Sequence, residues 1–93
     1  MIYEIKRTSQ FKKDVKLMLK QGKNLQDLLD IVEMLRTDVP LPERCHDHPL
    51  TGNWVGKREC HIAPDWLLIY EKCENLLLLT FIRTGSHSQT LKV

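Results

Sequence analysis

An α+β fold in the order β-α-α-β-β-β, an antiparallel sheet covered on one face by a two-helix hairpin, is predicted by three observations. Apolar residues recur with a helical period in two stretches before Arg36. After Pro42 the apolar period shortens and aromatic and β-branched residues appear. The links between the later segments are only a few residues long.

The elements follow in order. Residues 2–6 alternate, with Ile2, Glu4 and Lys6 on one side and Tyr3, Ile5 and Arg7 on the other, as a short first strand does. Thr8 or Ser9 offers a helix N-cap, because a short hydroxyl side chain satisfies a backbone N–H that the first turn leaves unpaired. Phe11, Val15, Met18 and Leu19 then form a stripe opposite a lysine-bearing face, and Gln21-Gly22 stops the helix. Asn24 caps a second helix, in which Leu25, Leu28, Leu29, Val32 and Leu35 keep the 3.6-residue period until Asp38-Val39-Pro40-Leu41-Pro42 ends it. Two amphipathic helices joined by so few residues form a hairpin. Residues 46–54 read as a loop around Pro49 and Gly52. Residues 55–62, 66–72 and 76–84 read as three strands, linked by an Ala63-Pro64-Asp65 turn and a Glu74-Asn75 turn, and such short links make them antiparallel. Residues 86–93 are left as a tail or a short extra element.

The 93 residues suit one domain, taken as 1–93, with room for a single small core. At 42% hydrophobic and 28% charged residues, neither disorder nor a membrane class is indicated. The leucine run at 76–79 falls far below the roughly 20 residues of a spanning helix, and MIYEIKRTSQ lacks the apolar core of a signal peptide, so the expected location is cytoplasmic, away from any membrane. Cys45, Cys60 and Cys73 are odd in number without a C-x-x-C pair, which argues for reduced thiols rather than a disulfide framework or zinc ribbon. The net charge of +2 is too small to indicate nucleic acid, but its distribution is uneven. Lys6, Arg7, Lys12, Lys13, Lys16, Lys20 and Lys23 face only Glu4 and Asp14 in the first quarter, a basic surface suited to phosphates or simply a solvated helix face.

Residues 46–66, HDHPLTGNWVGKRECHIAPDW, concentrate three of the four histidines and both tryptophans, and RTGSH at 83–87 supplies an arginine and the fourth histidine. His61 ends one strand, Asp65 lies in the next turn, and Arg83 and His87 straddle the end of the last strand. A meander brings such ends to one edge, where His48, His61, Asp65, Arg83 and His87 form a metal-free phosphoryl-transfer set. Cleaving an RNA backbone needs a base for the 2′-hydroxyl, an acid for the departing 5′-oxygen and fixed positive charge for the crowded phosphorus. Histidine titrates near neutral pH, and arginine carries permanent, bidentate charge. Each residue also has a structural alternative. Asp47 and His48 serve as loop and capping residues, His61 as a half-buried strand histidine, Asp65 as a turn residue, and Arg83 as the partner of Glu59 or Asp65 across the sheet. Trp54 and Trp66 read as core or platform residues. A metal set of His46, His48, His61 and Cys60 lacks any zinc-ligand spacing, so neither metal nor cofactor is expected.

The tracts DHPLTGNW at 47–54, HIAPDWLLIY at 61–70 and RTGSH at 83–87, with FKKDVKL at 11–17, resemble the YafQ family of toxins in the RelE/ParE superfamily over nearly the whole chain. The resemblance implies a RelE-like fold and the toxin of a type II toxin–antitoxin pair, a ribosome-dependent endoribonuclease that cuts mRNA in the A site. It implies His48, His61, Asp65 and His87 as acid–base residues and Arg83 as the phosphate-binding arginine. Asp65 then acts as base, aided by His48 and His61, and His87 as acid, giving a 2′,3′-cyclic phosphate or the 3′-phosphate. Lys12, Lys13 and Lys16 are expected on ribosomal RNA phosphates, and the partners are a cognate antitoxin, the ribosome and mRNA. Leu91 stands where the family tends to carry an aromatic residue, so stacking on the substrate base is lost there. Two other readings remain: a ParE-like toxin that inhibits DNA gyrase without cutting RNA, against which the histidine set argues, and an inactive relative kept as an interaction or repressor module.

Overall fold

The computed structural model describes residues 2–86 and Thr90. Five strands form one sheet: β1 Glu4–Arg7, β2 His48–Pro49, β3 Arg58–Ala63, β4 Trp66–Cys73 and β5 Leu78–Gly85, in the spatial order β1-β5-β4-β3-β2. Helices α1 Ser9–Lys20 and α2 Leu25–Arg36 follow β1, with α1 against β5 and α2 against β3. The expected α+β architecture is therefore present, with two differences. The sheet is antiparallel from β2 to β5, but β1 runs parallel to β5. The rule that short links impose antiparallel pairing governs consecutive strands only, and β1 and β5 are separated by the whole chain. The second difference is β2, two residues from the expected loop that pair with β3.

Thr8 joins the first three elements. Its hydroxyl accepts the Phe11 N–H at 3.0 Å, capping α1, and donates to the Ile82 carbonyl at 2.7 Å, while its own N–H reaches the Phe81 carbonyl at 3.1 Å. The end of β1, the start of α1 and β5 thus share one side chain. Helix α1 ends as the sequence indicates: Gly22 adopts φ +83°, and the Lys23 N–H returns to the Met18 carbonyl at 3.0 Å, a termination that favours glycine at this position. Asn24 caps α2 through the Gln26 N–H at 2.9 Å.

The helices bury narrower faces than their apolar stripes suggest. Phe11, Asp14 and Met18 are buried on α1, and Leu28, Ile31 and Leu35 on α2, while Leu19, Leu25 and Leu29 remain exposed. Asp14 is the exception among these buried residues, and its partner belongs to the site. Strand β4 is buried on both faces. Trp66, Leu68 and Tyr70 join the helix-side core, whereas the alternating Leu67 and Ile69, also fully buried, lie outside it and so face the other way. Trp66 is a core residue and no platform: its indole N–H donates to the Thr84 hydroxyl at 2.9 Å, which donates in turn to the Leu67 carbonyl at 2.6 Å. Of the tail, Thr90 is buried and returns its N–H and hydroxyl to the Ser86 carbonyl at 3.0 and 2.8 Å. No helix among the described residues is long and apolar enough to cross a membrane.

Candidate active site

The sheet face turned away from the helices carries the chemistry. Register aligns His48 of β2 with Glu59 of β3, Glu59 with Ile69 of β4, and Ile69 with Arg83 of β5. Two residues further along β3, His61 pairs with Leu67, which pairs with Gly85. Directly paired residues share a face, so His48, Glu59 and His61 stand together beside the buried Leu67 and Ile69.

The loop before β2 brings a third histidine. The 3₁₀ turn Glu43–Cys45 ends at His46, which adopts the left-handed conformation with φ 46° and ψ 48°, unusual for a residue other than glycine. Its ring meets that of His61 edge-on, centroids 5.6 Å apart at 74°. Asp47 fixes this loop from the opposite direction, accepting the Tyr70 hydroxyl at 2.6 Å and the Arg58 Nε–H at 3.3 Å. Asp47 is thus an anchor, which leaves His46 and His48 on either side of it at the histidine face. Burial, followed by the Asp47 carboxylate, pushes the Tyr70 phenol well above its ordinary range, so it stays a donor.

Glu59 is the residue that sequence reasoning missed. It is 2% exposed, with Oε1 3.3 Å from His61 Nε2 and Oε2 3.9 Å from His48 Nε2. The signal was present in the strand alternation, since a residue two before a candidate histidine shares its face. Beside His61 opens a pocket of about 410 Å³ lined by Arg44, His46, His61, Ile62, Ala63 and Pro64. Asp65 is exposed in the two-residue turn that follows, adjacent in sequence to the lining Pro64 but not itself in the lining. A larger hollow of about 540 Å³ near Leu35, Arg58, Tyr70 and Lys72 holds two paired groups, Asp47 with Tyr70 and Arg58, and Asp38 with Lys72 at 2.7 Å, and is lined as well by Lys57 and Glu74.

Arg83 pairs with neither Glu59 nor Asp65, the partners considered from the sequence. Its Nε and Nη2 donate to the two carboxylate oxygens of Asp14 on α1 at 3.0 and 3.1 Å, and the Thr84 N–H adds a third bond to that carboxylate at 3.1 Å. Beyond the end of β1, no strand among the described residues pairs with this edge of β5, and Asp14 takes that place. The guanidinium is held rigidly, with Nη1 the nitrogen that the pairing does not use. His87 and Leu91 lie outside the described residues. Lys12, Lys13 and Lys16 are exposed on α1 and none lines the histidine pocket.

Cys60 neighbours His61 in sequence but points into the helix-side core, and burial pushes its thiol far above the ordinary range. Cys45 is buried there as well, its thiol also raised by burial. Among the described residues no group of three or more histidine, cysteine or acidic side chains is arranged to hold a metal ion. What the site assembles is a proton-handling group, imidazoles around a carboxylate, on the same face as the β5 position of a rigid guanidinium.

Comparison with known proteins gives this arrangement a context. Residues 3–92 match the family model described as the bacterial toxin of the type II toxin–antitoxin system, YafQ. The mRNA interferase toxin YafQ of Escherichia coli K12 is 42% identical over 86 residues, covering 91% of each chain. A putative toxin YafQ of Haemophilus influenzae is 34% identical over 92 residues, covering 94% of this chain and 90% of its own. Among solved structures, a chain of the E. coli DinJ–YafQ toxin–antitoxin complex is 40% identical and superposes with a TM-score of 0.87, covering 97% of this chain and 98% of its own. A metal-bound toxin from Helicobacter pylori is 39% identical with a TM-score of 0.88, covering 97% and 99%.

Proposed function

The chain belongs to the YafQ family of type II toxin–antitoxin toxins, and from that premise we propose that it cuts mRNA in the ribosomal A site by metal-independent acid–base catalysis. Its class is that of an endoribonuclease toxin, an mRNA interferase. The observation that carries the mechanistic part is the convergence of His48 and His61 on the buried Glu59 beside an open pocket, because a surface that only binds a partner has no need of titratable groups around a desolvated carboxylate.

In this reading the chain works as one domain over residues 1–93 in the cytoplasm, where ribosomes are. Asp65, beside the pocket, takes the proton of the 2′-hydroxyl with His61 and His48 assisting. The 2′-oxygen attacks phosphorus, His87 protonates the leaving 5′-oxygen, and the product carries a 2′,3′-cyclic phosphate or, after hydrolysis, a 3′-phosphate. Arg83, already held by Asp14, meets the negatively charged oxygens on the phosphorus under attack without first having to be ordered. Lys12, Lys13 and Lys16 extend the contact to ribosomal RNA phosphates. A cognate antitoxin is the inhibitory partner, in keeping with the DinJ–YafQ toxin–antitoxin complex of the E. coli relative, and an acidic antitoxin segment over the pocket of Arg44, His46 and His61 would block ribosome entry. Retained ribosome binding by the toxin–antitoxin complex would refute this mode of inhibition.

The test is cleavage on ribosomes programmed with a defined mRNA, with fragment 5′ ends mapped. Cuts inside the A-site codon, absent on naked mRNA and reduced roughly 10²- to 10⁴-fold in single turnover by His87→Ala, are expected. A folded, growth-inhibiting protein that leaves mRNA intact while damaging DNA would replace this reading with gyrase inhibition.

A further inference from the structure

We propose that the pocket beside His61 receives a guanine base flanking the cut in mRNA, with His46 stacking on the base and Arg44 reading its acceptor edge, so that these two residues set which codons are cut. The inference rests on the interferase reading for its substrate and deepens it by naming the residues that choose the base.

Three features single the pocket out. The first is the backbone of His46, whose left-handed conformation at φ 46° and ψ 48° comes at a cost to a residue with a side chain; such outliers gather at ligand-binding sites. The turn is pinned on both sides, by the fully buried Cys45 before it and by Asp47 after it, which accepts the Tyr70 hydroxyl, and between these anchors His46 is exposed. The second is the meeting of the His46 and His61 rings, 5.6 Å apart at 74°, which makes a corner of two aromatic planes at the pocket of about 410 Å³ instead of a stack that would cover both. The third is Arg44, exposed in the lining of the same pocket. The guanidinium groups of Arg36, Arg58 and Arg83 are paired with Glu33, Asp47 and Asp14, whereas that of Arg44 forms no ion pair among the described residues.

The remaining walls are Ile62, Ala63 and Pro64, whose side chains carry no hydrogen-bonding group. Two imidazoles, three apolar residues and one guanidinium suit a flat, largely apolar ligand with acceptors along one edge. Among the parts of an RNA chain that describes a base, not a phosphate or a ribose. Bases outside a helix are held in this way, stacked on histidine or arginine and hydrogen-bonded along an edge. Arginine offers donors only, in a fixed fork. Guanine sets N7 and O6 side by side as acceptors, adenine sets an amino donor beside N7, and a pyrimidine presents a single polar group there, so the fork favours guanine. Stacking makes no such distinction, because every base has a π-face. His46 therefore contributes to any codon and Arg44 to those with guanine in the pocket. His61 belongs both to this pocket and to the group around Glu59, which places the held base next to the bond that is cut. Stacking uses ring faces and makes no demand on the nitrogens of His61.

The test is cleavage on ribosomes programmed with A-site codons that carry guanine, adenine or uracil at each position in turn. At limiting toxin the wild-type chain should cut roughly 10-fold faster when the base flanking the cut is guanine than when it is adenine, and R44A should lose most of that ratio. H46N, whose side chain tolerates the left-handed backbone, should slow the cutting of every codon roughly 10-fold at limiting toxin and far less at saturating toxin, as lost binding does. H46F, which stacks but does not titrate, should recover most of the loss. A wild-type chain indifferent to guanine would overturn the proposal, as would R44A that keeps the wild-type ratio, including by weakening all codons equally as a phosphate contact does. H46N that cuts like wild type, or H46F no better than H46N, would remove the stacking role. A wild-type chain that folds but cuts no mRNA would refute the interferase reading instead. The pocket is then decided by titrating the uncleavable 2′-O-methyl trinucleotides GGG and UUU into ¹⁵N-labelled protein. Larger shifts of the His46 ring with GGG than with UUU, evened out in R44A, would support it, and an unmoved His46 ring would overturn it.

Discussion

Replacing Arg83 with alanine should cost about 2 kcal/mol of folding stability, apart from anything it does to phosphate binding. Asp14 is 6% exposed, and Arg83 supplies two of the hydrogen bonds to its carboxylate; without the arginine the charge is left with the Thr84 N–H at 3.1 Å and the Gln10 side-chain N–H at 3.0 Å. Breaking a fully buried ion pair by removing one partner costs about 3–5 kcal/mol. Here the Arg83 side chain is 27% exposed, so water already screens part of the interaction, and the two surviving hydrogen bonds hold the cost to about 2 kcal/mol. For a chain of this size that corresponds to a fall in Tm of about 8–16 °C. Urea unfolding followed by tryptophan fluorescence reads it directly, since Trp66 is buried in the core. A cycle of Asp14→Ala, Arg83→Ala and the double variant should show a coupling of about 1 kcal/mol or more, the double variant being less destabilised than the sum. A single Arg83→Ala variant within about 0.5 kcal/mol of wild type would refute the reasoning, because it would mean that Asp14 does not depend on the guanidinium. Loss of toxicity in Arg83→Ala is therefore evidence about phosphate binding only after its folded fraction is known.

Tyr70→Phe removes the hydroxyl that Asp47 accepts at 2.6 Å and should lower stability by about 1–2 kcal/mol in urea, with faster amide exchange in the loop around His46 as its local signature. Because the folded Tyr70 phenol is held above its unfolded value, its contribution is complete below about pH 10 and is lost as pH rises beyond that; stability should fall in this range, and less steeply in Tyr70→Phe. Alkylation of the native protein, followed by mass spectrometry, should label the partly exposed Cys73 before the buried Cys45 and Cys60, with all three reacting in denaturant. Replacing Lys12, Lys13 and Lys16 together by alanine should leave the urea midpoint unchanged, since all three are exposed, while flattening the salt dependence of ribosome binding by about two to three units of log–log slope if each meets a phosphate.

The two helices, their capping residues Thr8 and Asn24 and the run of strands after Pro42 were determined by the sequence itself, because helical period, caps and turn residues act between neighbours a few positions apart. The motif tracts likewise sufficed to place the chain in its family. Exact burial within the helices was less legible: Leu19 and Leu29 fit the apolar period yet stay exposed, since the width of a buried face depends on the surface it meets. The parallel pairing of β1 with β5, the promotion of His48–Pro49 to an edge strand and the union of Asp14 with Arg83, 69 positions apart, belong to the tertiary structure alone. So does Glu59, whose charge looks like an ordinary exposed strand residue until Leu67, Ile69 and the two histidines close around it. Contacts between distant segments carry no local periodicity; they are decided by which faces the sheet brings together and which charges that burial leaves in need of partners.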